Sequence, residues 1–84
     1  MDQIILRNRT FDELAVGDSA SLQRSVGRDD IDLFAAVSGD LNPAHLDAGF
    51  AAGERLGHIV AHGLWTGGLI SALLGTRLPG PGTI

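Results

Sequence analysis

The chain has 84 residues, 44% hydrophobic and 19% charged, the composition of one small globular domain rather than of a disordered segment. A net charge of −4, with six scattered arginines, no lysine and no basic run, excludes nucleic acid as the main partner. The absence of cysteine excludes disulfides, thiolate catalysis and zinc–thiolate centres, and an N-terminus without a signal-like apolar stretch fits a cytoplasmic protein.

In chain order, residues 4–6 (Ile-Ile-Leu) read as a short strand. Thr10 to Leu14 reads as a helical turn, followed by a tight turn at Val16-Gly17-Asp18. From Ser19 to Val26 the pattern has an imperfect period of two, with Ala20, Leu22 and Val26 on one face, which predicts a half-buried strand ended by Gly27. Arg28-Asp29-Asp30 opens a helix, since the acids suit its N-terminal dipole and can cap its free N–H groups. Ile31, Phe34, Ala35 and Ser38 fall at helical spacing, and Gly39 stops the helix. A loop follows through Pro43, and residues 47–53 predict a further short helix ending at Gly53.

The 18 residues from Ile59 to Thr76 carry no formal charge. Val60, Leu64, Trp65, Leu69, Ile70, Leu73 and Leu74 cover most of the helical circumference, and a helix apolar all round must be buried. A membrane span is the alternative, but His62, Thr66, Ser71 and four glycines weaken it. The glycines suit close packing of the backbone against a sheet. Pro79-Gly80-Pro81-Gly82 forces a turn, and Thr83-Ile84 reads as the start of another strand. Such a helix needs more strand than residues 4–6 and 19–26 offer. The chain therefore reads as an incomplete domain, or as one that relies on a partner.

The segment richest in chemistry is Phe34 to Asp47, which contains Ser-Gly-Asp-Leu-Asn-Pro-Ala-His. On a continuous helix Asp40 and His45, five residues apart, would point about 140° away from each other. Pro43 breaks the helix and pushes Asn42 toward an extended conformation, so the loop can turn both side chains to one point. A carboxylate beside an imidazole can hold one water, one group taking its proton and the other giving a proton to the substrate. Asn42 can brace the loop by bonding its own backbone. The plainer alternative is a turn built from turn-forming residues, with His45 bonded to a backbone carbonyl. His58 and His62, at i and i+4, would suit a shared metal on one helix face, but residue 59 is Ile and no third ligand is evident, so no metal is expected. Gly63, at the effective start of the apolar helix, offers a free N–H near a positive dipole end that could polarise a thioester carbonyl. Its alternative role is packing clearance. Trp65 reads as core or tunnel wall, and two or three arginines could converge on a phosphate.

The run from Phe34 to Asp47 resembles the signature of the MaoC-like dehydratases, the (R)-specific enoyl-CoA hydratase (hydratase 2) family: an aromatic, then Ser-Gly-Asp-x-Asn-Pro-x-His. Ile59-Val60-Ala61-His62-Gly63 resembles the family's entry into its central helix, and Leu73-Leu74-Gly75 to Leu78-Pro79-Gly80-x-Gly82 its exit. The resemblance spans residues 10–84. It implies an α+β hot-dog fold, a long central helix wrapped by an antiparallel sheet, over a domain at 1–84 that lacks its C-terminal strands. It implies reversible hydration of a trans-2-enoyl thioester to an (R)-3-hydroxyacyl thioester. Asp40 and His45 would be the catalytic dyad, the Gly63 N–H the donor to the thioester carbonyl, and Asn42, His62 and Trp65 would support or bind substrate. No metal or cofactor is implied beyond the coenzyme A or acyl carrier protein that belongs to the substrate. A homodimer or higher homo-oligomer is expected. The competing expectation is a non-catalytic acyl-binding or assembly module.

Overall fold

The computed structural model describes residues 6–83. A 3₁₀ turn occupies Phe11–Glu13, followed by helices α1 (Arg28–Ser38), α2 (Pro43–Leu46), α3 (Ala48–Ala52) and α4 (Gly63–Thr76). The chain divides into two compact units, residues 24–66 and residues 1–23 with 67–84.

The unit over residues 24–66 is built from capped short helices. At the start of α1 the Gly27 N–H donates to Asp30 Oδ2 at 2.8 Å, so of the two acids expected to cap this end Asp30 reaches back to the N-cap residue. Arg24 pairs with the same carboxylate, at 3.5 Å. Ile31 and Ala35, one turn apart, are buried with Phe34 half-buried between them, whereas Ser38 is exposed. Gly39 ends α1 with φ 77°, a left-handed conformation that costs other L-residues about 1–2 kcal/mol. The segment after it was expected to be loop, but Pro43 sits at the first helical position of α2, where its missing N–H is no loss. Asp47 caps α3 by accepting from the N–H groups of Gly49 and Phe50 at 2.9 and 3.1 Å. The helix ends at Gly53, as the sequence predicts, and Ala51 within it is fully buried. The small core is Ile31, Ala35 and Ala51, with His62 the one buried polar side chain among the described residues.

In the other unit, the N-terminal segment is tied to the segment after α4. The Arg9 N–H donates to the Pro79 carbonyl at 2.7 Å, Asn8 Nδ2 to the Pro81 carbonyl at 2.6 Å, and the Arg77 guanidinium to the Ser21 carbonyl. The turn at Gly80 requires glycine twice over: φ is 105°, and a Cβ would run into the Arg7 carbonyl. At the 3₁₀ turn, the Thr10 N–H and hydroxyl both donate to Glu13. Helped by Arg7, they hold its exposed carboxyl below the usual carboxylate range. The tight turn at Gly17 forms as expected, with φ 99°.

Two expectations are corrected. Residues 19–26 form no strand, and among the described residues there is none. A strand's N–H and C=O groups need a neighbouring strand, which these residues do not meet, so Ala20 and Val26 stay exposed and Leu22 is only half-buried. The antiparallel sheet of the expected fold is therefore not formed among them. The strand expected over residues 4–6 lies, but for Leu6, outside the described residues, as does Ile84. The second correction concerns α4, which starts four residues after Ile59 and buries none of its residues: Leu64, Ile70 and Leu74 are 77%, 61% and 45% exposed. Its composition asks for cover that the described residues do not supply. The alternative of a membrane span, already weakened by the sequence, lacks length as well: α4 has 14 residues, roughly 21 Å at 1.5 Å per residue, against the roughly 30 Å of a bilayer core. No helix among the described residues is long and apolar enough to cross a membrane.

Candidate active site

The end of α1, the loop to α2 and the irregular residues 59–62 before α4 meet in the unit over residues 24–66. Gly39 turns the chain out of α1, and three interactions then fix Asp40. Its N–H donates to Ser38 Oγ at 3.1 Å, its Oδ1 accepts from the Asn42 N–H at 3.3 Å, and its carbonyl accepts from His62 Nε2 at 3.0 Å. Asn42 is extended (φ −55°, ψ 126°), as the following proline requires, and its Oδ1 accepts from the Ala44 N–H at 3.0 Å. The expected brace is thus an N-cap of α2. Asn42→Ala is expected to destabilise the chain by about 1 kcal/mol, a fall in melting temperature of about 4–8 °C in a thermal melt. The Asp40 anchor survives that substitution, because it uses the Asn42 main chain.

His45 lies in α2 with its side chain only 14% exposed. Its Nδ1 is 2.7 Å from the Val60 carbonyl. A carbonyl can only accept, so Nδ1 carries a proton and Nε2 is the nitrogen turned toward Asp40. Nε2 stands 3.9 Å from Asp40 Oδ2, and the Asp40 side chain is 52% exposed. That separation is too long for a direct hydrogen bond and fits one water about 2.8 Å from each group. The two alternatives at the sequence level therefore coexist. The loop is a turn made by turn-forming residues, His45 is bonded to a backbone carbonyl, and the same arrangement turns both groups to one exposed point.

His62 is 3% exposed. Its ring stacks on His45 (centroids 3.8 Å apart, planes at 25°) and meets Phe34 tilted at 4.7 Å. It thus lies behind the dyad rather than at the surface where a substrate would contact it. Gly63 follows as the first residue of α4, exposed, and its N–H has no acceptor within the helix. No atom lies within 4 Å of where a Cβ would stand, so packing clearance within these residues does not explain the glycine. Trp65 is half-buried in the first turn of α4, and its main-chain N–H donates to the His62 carbonyl at 3.1 Å.

The shared metal face of His58 and His62 does not form, because residues 58–62 precede α4 and His58 is exposed with Nδ1 beside the Ile59 carbonyl. Asp40, His45 and His62 do bring one possible ligand atom each within 4.8 Å of one another. A zinc ion needs about 2.0–2.2 Å to every N or O donor, and stacked imidazoles direct their lone pairs side by side rather than at a common point. Nor do the arginines gather around a phosphate: Arg7, Arg9, Arg24 and Arg28 each pair with a carboxylate. Ala44 and Val60 line an open cleft of about 250 Å³ with Glu54, Arg55, Leu56 and His58, smaller than a usual ligand pocket of about 300–1,000 Å³. Sequence reasoning missed Phe34, Ser38 and Val60 as parts of the site. The sequence places Phe34 and Ser38 on a helical face and within the signature run but gives neither a role, and Val60 contributes a carbonyl, which no side-chain pattern reports.

Residues 13–83 match the family model described as "MaoC like domain". The chain is 49% identical over 79 residues to a 3-hydroxybutyryl-CoA dehydratase of Methylorubrum extorquens, covering 94% of this chain and 50% of that protein. It is 46% identical over 83 residues to an (R)-specific enoyl-CoA hydratase of Rhodospirillum rubrum, covering 99% and 56%. The unliganded R-hydratase PhaJ1 of Pseudomonas aeruginosa superposes with a TM-score of 0.84 at 53% identity, over 87% of this chain and 47% of that one. The chain spans about half the length of the curated relatives it matches.

Proposed function

We propose that this chain, which belongs to the MaoC-like domain family, carries the dyad half of an enoyl-thioester hydratase. The carrying observation is the separation of 3.9 Å between Asp40 Oδ2 and His45 Nε2, with the tautomer of His45 fixed from behind by the Val60 carbonyl. The dyad holds a water between its two groups. The water oxygen bonds to C3 of a trans-2-enoyl thioester, and the C2–C3 π pair moves toward the carbonyl oxygen. The pair takes a proton from the water and returns that same proton to C2, so it ends with the protons it began with. The Gly63 N–H, at the positive end of α4, supports the charge that develops on the thioester oxygen. The product is an (R)-3-hydroxyacyl thioester. Coenzyme A is the carrier that the relatives' names support; acyl carrier protein is the other candidate. No resident cofactor enters the reaction.

The exposed apolar side of α4 is, in this reading, the surface on which the sheet of a hot-dog fold packs, with a second copy of the domain completing the assembly. That same surface favours a second reading, a binding or assembly module without turnover. One experiment separates the two. Crotonyl-CoA is supplied to the 84-residue chain, and the loss of enoyl absorbance is followed while the oligomeric state is measured by light scattering. Turnover yielding the (R) alcohol supports the hydratase. An oligomer inactive alone, but active when the second half of the R. rubrum relative is appended, confines the activity to the longer form. If the extended chain is also inactive and folded, the hydratase assignment fails.

A further inference from the structure

The buried imidazole behind the dyad has no part in the proton transfers above, yet it touches both members. His62 Nε2 lies 3.0 Å from the Asp40 carbonyl, which can only accept, so Nε2 bears the proton. The flat of the same ring lies against His45 at 3.8 Å, and Phe34 meets its other contact surface at 4.7 Å. Among the described residues the remaining nitrogen, Nδ1, is buried without a hydrogen-bond partner. Buried polar atoms are ordinarily paired, so an orphan at this point requires an explanation. A substrate cannot supply it, because the side chain is 3% exposed. Neither can local helix structure, because His62 precedes the first residue of α4.

We propose that His62 is a positioning residue that sets the spacing of the Asp40–His45 dyad. Its Nε2–H fixes the main chain of Asp40 while its ring face fixes the plane of His45. The orphaned Nδ1 follows from those two demands: a ring oriented to meet both the carbonyl and the neighbouring imidazole turns its second nitrogen into the core. Val60 and His62 lie two residues apart in the segment before α4, so a single strip of chain reaches His45 through the Val60 carbonyl and Asp40 through the His62 ring. The two dyad members arrive from opposite sides of the Pro43 turn, and this strip is the element they share. Displacing catalytic groups by about 1 Å costs on the order of 100-fold in rate.

The test uses two variants of the whole chain and a spectroscopic readout. The kinetic arm rests on the hydratase reading; the spectroscopic arm does not. In wild-type protein, ring ¹⁵N spectra are expected to show His62 protonated at Nε2 and His45 at Nδ1. His62→Phe keeps an aromatic face but has no donor. It is expected to lower kcat on crotonyl-CoA by roughly 100-fold, leave KM nearly unchanged and blur the His45 tautomer signal. His62→Gln restores a donor to the Asp40 carbonyl and is expected to recover part of kcat. A raised KM with kcat intact overturns the proposal in favour of substrate contact. Gln no better than Phe, or wild-type kcat and tautomer in both variants, also overturns it. If His62→Phe does not fold, the Gln variant and the wild-type spectrum decide, and His62 protonated at Nδ1 refutes the proposal. If the 84-residue wild type is inactive, the kinetic arm is run on the chain extended with the second half of the R. rubrum relative. A folded but inactive extended chain counts against the hydratase reading instead, and the positioning role then stands or falls on the ring spectra.

Discussion

Asp40→Asn is expected to lower kcat for crotonyl-CoA hydration by about 100- to 10,000-fold, the range that general acid–base groups contribute, while the melting temperature holds or rises slightly. The amide has the shape of the carboxylate, and its oxygen can still accept from the Asn42 N–H as Asp40 Oδ1 does at 3.3 Å. What it lacks is the capacity to take a proton. Binding contacts are unchanged, so KM should stay within a few-fold and the loss should fall on kcat. The expectation for stability comes from position. Asp40 immediately follows the residue that caps the C-terminus of α1, where the helix dipole disfavours negative charge. Removing that charge should be neutral or stabilising by about 0.3–1 kcal/mol. A residue that opposes the local rule yet is held by three hydrogen bonds has the profile of a group kept for chemistry. Steady-state kinetics and a thermal melt on the same preparation check both halves. A variant with full kcat, or one that melts markedly lower, would make Asp40 a structural residue and remove it from the mechanism.

Much of the site could be read from local chemistry in the sequence. Gly39 as the stop of α1, Asp30 as one of its two candidate caps, Gly53 as the end of α3 and the turn at Gly80 are consequences of backbone restrictions acting over a few residues. α2 was missed for a reason of the same kind: the sequence reads as a loop through Pro43, although asparagine at the cap followed by proline at the first position is equally a helix start. The failures of another type depend on partners distant in sequence. Residues 19–26 have a strand-like period but no strand to pair with among the described residues. Residues 59–62 share the apolar character of α4, but their carbonyls and rings are engaged by the 40–45 loop, so the helix begins only at Gly63. His62 lay within a motif and was assigned to substrate; its burial and its stack on His45 are tertiary facts that spacing along a chain does not encode.

His45→Ala should show the complementary profile, losing both activity and stability. The expected fall in kcat matches that of Asp40→Asn, because Nε2 is the other half of the water site. Unlike Asp40, the His45 side chain is largely buried and makes two contacts the fold uses, the hydrogen bond to the Val60 carbonyl and the stack on His62. A hydrogen bond contributes about 0.5–1.5 kcal/mol and an aromatic pair a similar amount. The variant is therefore expected to lose about 1–3 kcal/mol, a drop on the order of 5–15 °C for a domain of this size. His45→Phe separates the terms: it keeps the stack, forfeits the hydrogen bond, and should be as inactive as the alanine variant while melting higher. The decisive comparison is the double variant. If Asp40 and His45 act on one water as a unit, combining Asp40→Asn with His45→Ala should cost little more in kcat than either change alone. Rate losses that multiply would mean two independent contributions, and the shared water between Oδ2 and Nε2 would have to be abandoned even with both residues retained as catalytic.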